Sequence, residues 1–101
     1  MIVTLVLNNP PGGRCRLYRA YATVLVEQAG ARCIEWFEGL PTQPHIKAPA
    51  VLIDSRPITP SDGVIVAPED IGAAIGLSHP DAGRIVALLE GVVAREMQEW
   101  N

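Results

Sequence analysis

Residues 48 to 54 read APAVLID, and the assignment of the elements on either side turns on them. Within it AVLID (50–54), apolar up to Asp54, reads as the third strand. Upstream, residues 38 to 49 (EGLPTQPHIKAP) hold three prolines and one glycine in twelve positions, which rules out a lasting regular element and makes the segment a loop. Downstream, SRPIT (55–59) reads as a turn with the start of a return strand. GVIVA (63–67), entered through the Asp62-Gly63 turn signal, reads as the fourth strand, antiparallel to the third in a hairpin.

Working outward to the N-terminus, IVTLVL (2–7) is apolar on both faces, as expected of a central strand with parallel neighbours. Behind the loop NPPGGRC (9–15), residues 14 to 30 place Leu17, Tyr21, Val24 and Leu25 at spacings of three and four, with Gly30 as a helix stop. ARCIEWFEG (31–39) alternates well enough for a second strand, parallel to the first through a right-handed crossover. Past GVIVA, Pro68 suits a helix first turn, Glu69 and Asp70 sit where the macrodipole favours acids, and Gly76 stops the helix. In the last segment, Ser78 and Asp81 approach a capping box. Two apolar stripes follow: Ile85, Leu88 and Val92 on one, Val86, Leu89, Val93, Met97 and Trp100 on the other. That is wider than one core-facing stripe requires. It fits a helix tucked between sheet and neighbour, or a homodimer contact through the 80–100 helix.

At 101 residues there is room for one domain, 1–101, and the 49 % apolar content can fill a core. A net charge of −3, with Arg14, Arg16 and Arg19 the only basic cluster, disfavours nucleic acid. No apolar run approaches the ~20 residues that cross a bilayer, and no leader pattern precedes IVTLVL, so no membrane association is expected and the chain reads as a soluble, cytoplasmic protein. Cys15 and Cys33 are too few for a disulfide framework and are expected as thiols. His45 and His79 lack partners at ligand spacing, so no metal site is expected. Neither a P-loop nor a dinucleotide fingerprint is present, and no serine has a nucleophile-elbow context.

The order β-α-β, proline-rich loop, β-β hairpin, helix resembles that of a small thioredoxin- or glutaredoxin-like protein. The resemblance covers about residues 1–77 and leaves 78–101 as an added C-terminal helix. It rests on IVTLVL leading to a loop and a helix with Cys15 in its first turn, on APAVLID, and on GVIVAPEDIGAAIG. It implies an α/β fold, β-α-β-β-β-α, with a four-stranded mixed sheet in the order 2-1-3-4 and the fourth strand alone antiparallel. It also implies a cis-proline at Pro49, with Ala48 before it pairing with the backbone of whatever binds, and a CxxC loop aligned on Gly12-Gly13-Arg14-Cys15. Gly12 then stands where the attacking cysteine belongs. A ferredoxin-like βαββα variant with a structural role is the competing arrangement, separated by sheet order.

Cys33 is not a replacement partner for Cys15. A helix of some fifteen residues spans ~22 Å, whereas a disulfide requires Cα atoms within ~7 Å. Cys33 is expected to be a small core residue. Cys15, near a helix N-terminus with Arg14 and Arg16 alongside, reads either as a reactive monothiol or as an inward-packed hydrophobe. Gly12, Gly13 and Arg14 offer backbone donors and a cation for an anion, or merely a tight turn after Pro10-Pro11. Two functions follow: a thioredoxin-like binding or assembly module without redox activity, with a protein partner and no cofactor, or a monothiol oxidoreductase or thiol carrier that acts through Cys15 with glutathione.

Overall fold

The computed structural model describes residues 1–76 and 79–99. Ser78 and Trp100, expected in the cap and in the second stripe of the last helix, lie outside the described residues. The elements run β1 (Ile2–Leu7), α1 (Gly13–Ala29), β2 (Arg32–Phe37), β3 (Ala50–Ile53), β4 (Arg56–Pro57), α2 (Pro68–Ile75) and α3 (Ala82–Glu99). The four strands form one mixed sheet in the order β2-β1-β3-β4.

β1 pairs parallel with β2 and antiparallel with β3, and β3 pairs antiparallel with β4. The odd strand is therefore the third, not the fourth, and β1 has one parallel neighbour instead of two. The cause is where the proline-rich loop begins and ends. Phe37 closes β2 beside Leu7, and Ala50 opens β3 beside Val6, so residues 38 to 49 leave and rejoin the sheet at the same end. A parallel β3 would need a second crossover, for which those residues supply no helix.

The expected fourth strand is also displaced. Asp54 and Ser55 turn the chain with positive φ angles of 50° and 69°, and the return strand is only Arg56 and Pro57, prolonged by the Ile58 amide on the Val51 carbonyl at 2.9 Å. GVIVA is not a strand. The Asp62 carboxylate accepts from the amides of Val64 and Ile65, both at 2.8 Å, which curls the segment into a side-chain-capped turn.

On one face of the sheet Val3, Leu5, Leu7, Val51 and Ile53 join Leu17, Tyr18, Tyr21 and Leu25 of α1 with the apolar sides of α2 and α3 in the main core. Each such fully buried large side chain contributes about 1.5–3 kcal/mol. The other face holds a smaller cluster, in which Leu40 and Ile46 from the proline-rich loop cover Val6 and Leu52. Helix α1 ends at Gly30, whose φ of 67° is a left-handed cap. Helix α2 opens with Pro68 in its first turn, and the Asp70 carboxylate accepts from the Ala67 amide at 2.9 Å.

Helix α3 packs on α1 and α2. Ile85, Leu89 and Val92 are buried, Val86 and Val93 are partly buried, and Leu88 is 41 % exposed. The two stripes thus merge into one inward face, with residues of the second largely used inside the protomer. Gly72 permits this packing: a Cβ there would meet Val86 Cγ2 at 2.5 Å. Among the described residues no helix is long and apolar enough to cross a membrane.

Candidate functional site

The loop from Asn8 to Arg14 sits at the C-terminal end of β1, the end at which β3 begins. It is shaped by its own composition. Two prolines remove amide donors, the Asn9–Pro10 peptide is cis, and Gly12 stands in an extended conformation (φ −97°, ψ −167°) as the N-cap of α1, with its carbonyl accepting the Arg16 amide at 3.1 Å. The Asn9 amide donates to Glu38 Oε1 at 3.0 Å, tying the loop to the end of β2.

Cys15 lies in the first turn of α1 and is fully buried, 0 % exposed. Its sulfur faces β1 and accepts the Asn8 amide at 3.3 Å, a weak bond that nevertheless satisfies a backbone donor at the strand end. Gly12, three residues earlier, is exposed, and nothing lies within 4 Å of where its Cβ would stand. Arg14 points away toward the loop before α2, with Nη1 donating to the Val64 carbonyl at 3.1 Å. Gly13 is the first residue of the helix. Ala48 and Pro49 are partly buried, the peptide between them is cis, and Ala48 packs on the Val6–Leu52 cluster. Since Ala50 pairs with Val6, Pro49 stands next to the end of β1. The loop and the Ala48–Pro49 segment therefore share one end of the sheet.

Cys33 is not a core residue. It lies on the exposed edge strand β2, opposite Val3 near the start of β1, while Cys15 bonds at the strand's other end. Both thiols are free. Cys33 borders a groove of about 310 Å³ between α1 and β2, lined also by Leu5, Arg19, Ala22, Val26 and Glu35. There partial desolvation, and then the Glu35 carboxylate, push its thiol pKa up, against the pull of Arg19. The more accessible of the two sulfurs is thus held in the less nucleophilic form. Arg19 and Glu35 bridge the groove with contacts of 2.8 and 3.3 Å.

Sequence reasoning did not find the fixture behind the loop. Tyr18 and Tyr21 stack with centroids 6.0 Å apart and hold one residue between them: the Val66 amide donates to the Tyr18 hydroxyl at 3.0 Å, and the Tyr21 hydroxyl donates to the Val66 carbonyl at 2.9 Å. Their spacing of three on a helix was the available signal, but it reads equally as plain core. Among the described residues no three His, Cys, Asp or Glu side chains converge for a metal ion. Comparison with protein-family models, with curated proteins and with solved structures finds no match to the chain.

Proposed function

We propose that the chain is a thioredoxin-like domain that has lost dithiol exchange and serves as a binding or assembly module in a reducing, cytoplasmic setting. The observation that carries this reading is the state of Cys15: full burial, with its sulfur engaged by the Asn8 amide, behind a loop whose exposed position three residues earlier is Gly12. A thiol with no solvent access does not attack a disulfide, and a glycine cannot. The sheet order β2-β1-β3-β4, with a helix between β1 and β2, supports the family reading. The binding surface is the sheet end formed by Gly12 and Gly13 with Ala48 and Pro49, the Arg14 guanidinium being drawn off to the Val64 carbonyl, and its partner is a protein. Assembly through the 80–100 helix has Leu88 as its exposed apolar contact.

The competing monothiol function through Cys15, with glutathione as co-substrate, requires residues 8 to 14 to open first. A Cys33→Ser chain incubated with oxidised glutathione and followed by intact mass separates the two. No adduct under native conditions, and an adduct once denaturant is added, is the expected outcome. Rapid native modification that disappears in Cys15→Ser/Cys33→Ser would overturn the module reading.

A further inference from the structure

The edge of the sheet carries an inference independent of the chemistry at Cys15. Edge strands in soluble monomers are ordinarily blunted by lysine, proline, a bulge or an inward charge. β2, RCIEWF, has no lysine or proline, and its one carboxylate, Glu35, which shares the α1 face with Leu5, is neutralised there by Arg19; the strand stands at the end of the strand order with every residue exposed. Seven large apolar side chains are exposed among the described residues; Ile34, Trp36 and Phe37 are on β2, and Ile2 is beside it on β1. Such clustering marks a contact surface, where scattered exposure would not. Glu35, one of the two charges on the strand, is already occupied by Arg19.

The backbone fixes which groups are free. The Arg32 amide bonds to Met1 and the Glu38 amide to Leu7, so with the strand period of two the N–H and C=O groups of residues 32, 34, 36 and 38 face β1. Those of Cys33 and Glu35 face outward. We propose that two copies of the chain join through β2, antiparallel and edge to edge about a two-fold axis at Ile34, so that the two sheets become one.

In this register Cys33 of each copy and Glu35 of the other form hydrogen-bonded pairs, four bonds in all by symmetry. Ile34 meets Ile34, and Arg32 meets Trp36 of the second copy, a cation beside an indole on the same face. The free charge of the strand thereby finds its complement. Neighbouring registers fail: an axis at Glu35 sets two carboxylates opposite each other, an axis at Cys33 leaves Arg32 opposite Ile34, and an axis at Trp36 sets Ile34 against Glu38, whose φ of 74° has left the strand. A second copy is thus the occupant whose charge and hydrogen-bond pattern match this edge.

Sedimentation velocity across a concentration series tests the assembly. The native chain is expected to run as a dimer, and Ile34→Lys, at a site 45 % exposed, to run as a monomer with an unchanged far-UV spectrum and a dissociation constant raised roughly tenfold or more. The register has its own test. In Cys33→Ser/Ile34→Cys the two new thiols face each other across a non-hydrogen-bonded pair with Cα atoms ~4.5 Å apart, so a mild oxidant should link the chains, while Cys33→Ser alone stays unlinked. A native chain that is monomeric throughout, a dimer that Ile34→Lys leaves intact, or no link through residue 34 would each overturn the proposal. The first outcome would leave the module reading at Cys15 untouched.

Discussion

The Asn8 amide points at the sulfur of Cys15, 3.3 Å away, so the end of the first strand and the start of the first helix are joined through a buried thiol. Truncating it removes a packed side chain and orphans a strand-end amide. Cys15→Ala is expected to lower stability by about 1–2 kcal/mol, read as a shift in urea midpoint at constant m. In native protein an aromatic disulfide reagent should titrate Cys33 first, and Cys15 only at the rate of opening.

Gly12 tests whether the loop has the geometry of a CxxC turn. Its extended backbone suits any residue and its Cβ position is open. Gly12→Cys should fold as the parent does and close a disulfide to Cys15 on oxidation, seen as a mass loss of two hydrogens; its dithiol form, kept reduced by dithiothreitol, should show new reductase activity toward a protein disulfide. A folded variant that keeps both thiols under oxidant would show that the loop does not have that geometry.

The clamp on Val66 predicts an alkaline limit. Burial raises the phenol pKa of both Tyr18 and Tyr21 above the ordinary 10.0, outweighing for Tyr18 the Val66 hydrogen bond that favours its ionised form. For an acid whose folded pKa is raised, the unfolded chain gives up its proton first, so this stability is complete below pH ~10 and declines as pH rises beyond it. These are the chain's two tyrosines, so tyrosinate absorbance should appear late and together with unfolding. Tyr21→Phe should cost about 1–2 kcal/mol by leaving the Val66 carbonyl without its donor.

Helices α2 and α3 touch through Gly72. Gly72→Ala puts a methyl against Val86, a side chain stiff at χ1, so a loss of about 1–3 kcal/mol is expected in thermal or urea unfolding. Adding Val86→Ala should recover part of that loss, because the cavity it opens admits the methyl. If Val86→Ala only adds its own penalty, the close approach is not what Gly72 provides.

Much of the fold was legible because it rests on periodicity and punctuation. IVTLVL, the α1 stripe ending at Gly30 and the Pro68–Gly76 helix lie where their patterns place them. GVIVA failed for a physical reason: β-branched apolar runs suit any extended buried segment, and here side chains of Asp62, Tyr18 and Tyr21 satisfy the backbone that a ladder would otherwise pair. The turn and return strand read at SRPIT are there, as β4, Arg56–Pro57, after a turn made by Asp54 and Ser55; what the pattern missed is that this short strand closes the sheet in place of GVIVA. The direction of β3 was misread although residues 38 to 49 were read as a loop, because a stretch with no helix does not carry the crossover that a parallel strand needs. Cys33 was misplaced because alternation along a strand does not say that the strand is an edge.

The sheet is dressed unevenly, with three helices on one side and residues 38 to 49 on the other. Within that cover the described backbone bonds are few, Gln43 to Leu40 and Ile46 to Gln43 among them, and Leu40 and Ile46 pin it to Val6 and Leu52. Lys47, the chain's only lysine, is exposed in it. A lysine-specific protease therefore has a single address on this molecule, on its thinnest wall, and anything that settles over Ala48 and Pro49 would bar the door.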